Sequence, residues 1–241
     1  MSIIKFYPFS KESYAISPEP TPASKNIPEW YKKQPAYGVS EESQNRLGGS
    51  ASTVKRCMPI FDIINSGYII YMPCDVFIDA TNPEKLEWSL PKMAGQIKRD
   101  LVSSHSPEQV SHYPLETDKY HKDIFRIIPF WAVGTEKGYS CLFTQPFHGD
   151  PLPFRTFGGI VDTDKFIADG HYSLQIEKGF KGVIERGTPL VQVIPFKRDN
   201  FKMEIVDVAK SNEVLTSQRI KIRSTFKNFY RNYMRSPKEY R

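Results

Sequence analysis

The residues of this chain best suited to chemistry are its five histidines and the carboxylates among them. His148-Gly149-Asp150 is an H-x-D triplet, and His171 follows it. Two imidazoles and one carboxylate suit mononuclear Fe(II) or another divalent metal, so His148, Asp150 and His171 form one candidate metal set. His112 and His121 flank a stretch holding Glu116 and Asp118 and could supply ligands instead. Against a metal stand the frequency with which H-x-D arises by chance and the Pro/Gly loop around His148, where solvated histidines are ordinary. Asp162 and Asp164 alternate, so a strand would place both on one face. Their simpler reading is a turn cap and a surface charge; their sharper one is catalytic, with Asp162 as carboxylate and His171 as partner. Near the C-terminal end Arg223, Lys227, Arg231 and Arg235 recur four apart, a spacing that lines one face of a helix and could meet phosphates. A solvated face ranks ahead of nucleic acid there, because cations without a groove-binding motif give affinity without specificity.

Elements must position these groups, and composition bounds which. A chain of 241 residues, 39% hydrophobic and 13% aromatic, can bury a core as one large domain or two small ones. The start lacks the pattern of a secretory signal and no run is long and apolar enough for a membrane span, so a soluble, intracellular protein is expected, with no membrane partner. Cys57, Cys74 and Cys141 are odd in number and widely spaced, which points to buried free thiols. The net charge of +6 is unevenly held: Arg219, Lys221, Arg223, Lys227, Arg231, Arg235, Lys238 and Arg241 face a single acid, Glu239, so the tail is basic and the body near neutral.

Five prolines between Pro18 and Pro35 forbid a long helix near the N-terminal end, and Phe6, Tyr7, Phe9, Trp30, Tyr31 and Tyr37 suit an extended arm lying on an apolar surface. The polar run from Gly38 to Thr53 reads as a loop. From Val54 to Ala80, β-branched and aromatic runs broken at Asn65-Ser66-Gly67 and Pro73 predict a hairpin. A short helix is expected around Pro107 to Val110. FRIIPFWAVGT, GYSCLFTQPF, FGGIVDTDKF, GHYSLQIEK, GFKGVIERG and TPLVQVIPF then read as strands punctuated by glycine and proline, which predicts a sandwich or barrel rather than alternating strands and helices. Beyond Asp207, Ile222, Phe226, Phe229 or Tyr230, and Tyr233 take helical spacing, an amphipathic C-terminal helix. The organisation expected is an arm and loop over 1–53, a β core over 54–208 and a basic helix over 209–241.

Gly138-Tyr139 with its apolar strand, Gly159 to Asp164, Gly170 to Gln175, and Arg186 to Ile194 keep an order and spacing that resembles the β-clip core of dUTPases and dCTP deaminases. That resemblance covers about a quarter of the chain and implies a β-clip or related barrel core. It also implies that Asp162 matches the aspartate that orients the attacking water and the sugar hydroxyl. Two departures accompany it. The phosphate-binding turn is replaced by QPFHGDPLPFR, whose Asp150 would repel a triphosphate, and Gln175 stands where a deaminase has its general-base glutamate; an amide cannot take a proton from water. The tail has no glycine after Gly187 to form a closing arm.

A second resemblance spans more of the chain. IPEWYKKQPAY, VKRCMPIFDIINSGYIIYMPCDV and FKNFYRNYMRSPKEYR are similar to tailed-phage proteins, notably of phages infecting marine cyanobacteria. A bacterial domain family sharing R-C-x-P, S-H and G-I-V-D-T-D patterns is similar as well. The two resemblances together imply a phage-encoded module that keeps the scaffold for interaction or structure, in a homo-oligomer or with a phage or host protein. A metal enzyme acting on a small molecule or peptide, and a degenerate nucleotide-binding protein, are the alternatives.

Overall fold

The computed structural model describes residues 2–38, 51–92, 101–128, 130–167, 171–224 and 229–241. It is mainly β, built of antiparallel sheets with a few helices, and no sheet closes into a barrel among the described residues. Two compact units appear: residues 1–32, 64–198 and 240–241 make the first, residues 33–63 and 199–239 the second. This partition differs from the one expected from composition, because the proline-rich arm belongs to the β unit while residues 54–63 and 199–208 do not.

In the first unit, β1 (Ile4–Pro8) pairs with β10 (Trp131–Thr135), so the arm adds a strand to the body. Helix α1 (Lys11–Ile16) starts at Ser10, whose hydroxyl accepts from Ser13 N at 3.1 Å while Ser13 Oγ accepts from Ser10 N. Trp131 Nε1 donates to Pro18 O at 2.9 Å and fastens the arm again where its prolines leave carbonyls unused. The arm is thus partly helical rather than wholly extended, in turns short enough for proline to flank them. The short β2 (Thr21–Pro22) and the end of helix α2 (Glu29–Lys33) complete it.

Besides the β1–β10 pair, three sheets enclose the core. The largest orders β13 (Gly159–Val161), β11 (Tyr139–Thr144), β16 (Pro189–Lys197), β5 (Tyr68–Tyr71) and β2. The second orders β12 (Phe154–Thr156), β14 (Tyr172–Glu177), β9 (Tyr120–Ile127) and β8 (Val102–Ser104). The third orders β15 (Lys181–Ile184), β6 (Val76–Asp79) and β7 (Glu87–Ser89). Ile70, Ile78, Phe125, Phe154, Leu174 and Val193 meet in one buried cluster, each worth about 1.5–3 kcal/mol on leaving water. Cys74 and Cys141 are buried free thiols, both pushed up to about 11 by that burial, so neither is a thiolate at neutral pH. Cys57 is a half-buried free thiol.

Five of the six strands expected after residue 120 are present, as is a 3-10 turn at Pro107–Val110; the sixth, FRIIPFWAVGT, is divided between β9 and β10, which belong to different sheets. The hairpin expected over 54–80 is not. Met58–Ile64 forms helix α3, with Pro59 in its first turn where a missing N–H costs nothing. Asn65-Ser66-Gly67 ends that helix, Gly67 taking the left-handed φ of 73°. Strands β5 and β6 go to different sheets, because Pro73 interrupts the run and Met72 bonds Thr188 O and Gly187 N on either side of its peptide.

In the second unit, β3 (Tyr37–Gly38) pairs with β4 (Ala51–Ser52), and Arg56 lies over the Tyr37 ring at 4.4 Å. Helix α4 spans Val208–Ser224, and Tyr230–Met234 form a π-helical turn. The expected C-terminal helix is therefore shorter than 209–241, and its described apolar side chains stand in solvent, Ile220 and Ile222 at 62% and 54% exposure. Phe226 and Lys227, on which its apolar and basic faces depended, lie outside the described residues. Among those described, no helix is long and apolar enough to cross a membrane.

Candidate functional site

The candidate metal set is not assembled. His148 turns into the left-handed region, φ 53°, at the tip of the loop after β11, and its carbonyl accepts from Trp30 Nε1 at 2.6 Å. Asp150 accepts from Glu29 N at 3.1 Å, so the loop is closed onto the start of α2 and lines a small apolar cavity there. His171 lines a different cavity. No three of His, Cys, Asp and Glu converge as a metal site among the described residues. His121, also a candidate, is fully buried: its Nε2 donates to Asn82 O at 2.9 Å and its Nδ1 accepts from Asp123 N, a neutral ring satisfied on both sides.

Asp162 and Asp164 do share a face, and they spend it on a cation. Arg198 reaches Asp164 with both terminal nitrogens, at 2.8 and 2.5 Å, and lies 3.3 Å from Asp162. Gly138 N also donates to Asp164 at 2.8 Å, and Ser140 Oγ donates to Asp162 at 2.7 Å. The Arg198 guanidinium, then the Gly138 N–H, hold the Asp164 carboxyl far below the usual range. Asp164 is 3% exposed and Asp162 47%, so the first is the structural anchor that closes the Gly138 turn. Asp162 is not brought to His171: Val161 and Thr163, its neighbours, line the cavity with His171, while Asp162 turns to the opposite side of the strand.

Gln175 is fully buried and bridges two elements. Its Oε1 accepts from Arg155 Nε at 2.8 Å and its Nε2 donates to His121 O at 3.3 Å. Arg155 is further held by Glu116 and by the Tyr120 and Phe157 rings. The one arginine of the loop at 145–155 is thus already engaged. Of the tail cations, Arg235 is tied to Asp62 within the second unit at 2.7 Å, Arg231 is exposed, and the side chains of Arg223 and Lys227 lie outside the described residues.

What the fold does assemble lies at the start of β14. A cavity of about 220 Å³ is lined by Val133, Phe143, Phe157, Val161, Phe166 and Tyr172, with His171, Ser173 and Thr163 as its polar members. Phe143 and Tyr172 are tilted rings 5.9 Å apart, and burial pushes the Tyr172 phenol up, keeping it neutral. Phe166 is 62% exposed and forms an apolar lip. Gly158 and Gly159 leave the mouth open; a Cβ on Gly159 would meet nothing within 4 Å.

No family model and no curated protein matches the chain.

Function therefore rests on this geometry. Sequence reasoning found His171 but missed its companions. Ser173 Oγ lies 2.9 Å from His105 Nε2, and His105 Nδ1 lies 3.1 Å from Gln109 Oε1. Ser173 pairs across the sheet with Arg126, whose Nε is buried without an acceptor among the described residues. Gln109, Arg126 and Ser173 sit in three separate elements and His105 in the loop after β8, so no spacing in the sequence announces them.

Proposed function

We propose that this chain is an interaction module, a β scaffold that receives an apolar group in the cavity at the start of β14. The observation that carries this reading is the cavity itself, walled by aromatic and β-branched side chains and lipped by the exposed Phe166. Its volume of about 220 Å³ equals that of roughly seven waters. It is smaller than the usual 300–1,000 Å³ ligand pocket, and suits one aromatic ring or a short aliphatic chain better than a nucleotide. The similarity to dUTPase-like scaffolds and to tailed-phage proteins is compatible with a module whose nucleotide machinery is replaced. The loop at 145–155 is closed on α2, and its arginine is engaged by Gln175. A homo-oligomer, or a phage or host partner presenting the apolar group, is part of the same proposal.

The test is binding of 1-hexanol, read as a rise in unfolding temperature. Gly159→Phe, which projects into open space without steric penalty at its own Cβ, is expected to abolish that rise while leaving the unliganded midpoint unchanged. Equal response, or none, in both proteins would sink the reading.

A further inference from the structure

The geometry points to a second property of the same cavity: Ser173 and His105 form a nucleophile and general base able to cleave a small apolar ester seated in it. This rests on the cavity being a binding site and adds a reaction to it.

A serine–histidine contact by itself is common chemistry on a sheet surface. Four further observations set this pair apart. The imidazole is held at both nitrogens, 2.9 Å to Ser173 and 3.1 Å to Gln109. The direction of the Gln109 amide is set independently, because its Oε1 also accepts from Ser106 N at 3.1 Å in the cap of the 3-10 turn. An acceptor oxygen at Nδ1 places the ring proton there and leaves the Nε2 lone pair facing the Ser173 hydroxyl, as a general base must. Ser173 is among the residues that line the cavity, at the start of β14. Finally, Arg126 is the direct cross-strand partner of Ser173, which puts their Cβ atoms about 4.5–5.5 Å apart on one face. No ion pair engages Arg126 among the described residues and its Nε is buried without an acceptor, so its positive charge is not consumed inside the protein.

The reaction follows from these positions. Ser173 Oγ attacks the ester carbonyl carbon and its proton passes to His105 Nε2. The carbonyl π pair moves onto oxygen, giving a tetrahedral oxyanion. Collapse of the tetrahedral intermediate breaks the carbon–oxygen bond to the alcohol, which leaves with the proton from His105. Water, deprotonated by the same Nε2, then attacks the acyl-serine, releases the carboxylic acid and returns the proton to Ser173. Cavity size restricts the acyl group to an aromatic ring or a chain of about six carbons. Gln109 is a positioning residue: it holds the imidazole and the Ser106 N–H and has no contact with Ser173.

The experiment uses the full chain with p-nitrophenyl hexanoate and, separately, a fluorophosphonate that traps activated serines. Turnover with a phosphonyl adduct on Ser173 is expected. Ser173→Ala and His105→Ala are expected to lower kcat/KM by 100-fold or more, within the range of general-base catalysis of about 10²–10⁴. Gln109→Leu is expected to lower kcat with KM held, and Gln109→Glu, which keeps both the cap and an acceptor at Nδ1, to restore it. Absence of the adduct on the unaltered protein overturns the inference without any variant having to fold, as does hydrolysis by Ser173→Ala at the unaltered rate. Hexanol binding separates the two failures: hexanol bound without hydrolysis overturns the chemistry alone, and neither overturns the cavity reading as well.

Discussion

Asp164 shows what one residue contributes when its neighbours are taken together. Its carboxyl is depressed first by Arg198 and then by the Gly138 N–H, and Asp79 is pushed down to about 2 by Lys181 and Thr81. A carboxylate with a folded value below its unfolded one adds stability that is complete above the unfolded value, near 3.9. That stability is lost as pH falls toward the folded value. The urea midpoint is therefore expected to fall continuously below about pH 4. Asp164→Asn, which keeps an acceptor for Gly138 but loses the charge, is expected to lower the midpoint at pH 7 and to flatten the fall. A midpoint whose acid limb is as steep in the variant as in the parent would show that Asp164 is not the group responsible. The alternation of Asp162 and Asp164 was legible in the sequence, and so was their shared face. Their cation was not, because Arg198 comes from the far end of β16 and only strand pairing brings it to the Gly138 turn.

Elements were legible where the signal was a strand bounded by turn residues and illegible where a short apolar run allowed two structures. FDII reads equally as half a hairpin or as a turn of helix, since a run of that length carries no period. The decision fell to α3 because Pro59 suits a first turn and Gly67 suits a helix end. Gly67 also packs against β16 so closely that a Cβ would lie 2.0 Å from Val193 O. Gly179, with a similar φ of 76°, faces open space. Gly179→Ala is expected to cost about 1 kcal/mol, the strain of the left-handed backbone alone. Gly67→Ala is expected to cost more than about 3 kcal/mol, since β16 must move as well. Chemical denaturation of both variants checks this; equal losses would mean that the contact with β16 yields freely. The separation of β5 from β6 has a similar origin, because hydrogen-bond partners of a strand are chosen across the sheet and not along the chain.

At the scale of the molecule, the basic tail divides into engaged and exposed charge. Arg235 donates through Nε and Nη2 to Asp62 at 2.9 and 2.7 Å and lies over the Phe61 ring, and Lys238 adds a third contact at 3.1 Å. The Arg235 hydrogen bonds are the largest cause of the lowered Asp62 pKa. Arg235→Ala is expected to destabilise the protein by about 1–3 kcal/mol, the range for stranding a hydrogen-bonded group, whereas Arg231→Ala, at an exposed position, should stay within about 0.5 kcal/mol. Thermal unfolding of the two variants measures the difference, and equal midpoints would mean that the Asp62 contacts carry no stability. The sequence by itself determined the β character after residue 120, the turn at Pro107–Val110, the unevenness of charge and the burial of two of the three thiols. Each of these depends on local pattern: period, turn residues, composition. Only the tertiary structure decided that the arm adds a strand to its own body, that the His148 loop and His171 line different cavities, and that Ser173, His105 and Gln109 meet. Those outcomes depend on strand register across long sequence separations, where a shift of one residue turns a side chain to the opposite face, and no local spacing encodes that choice.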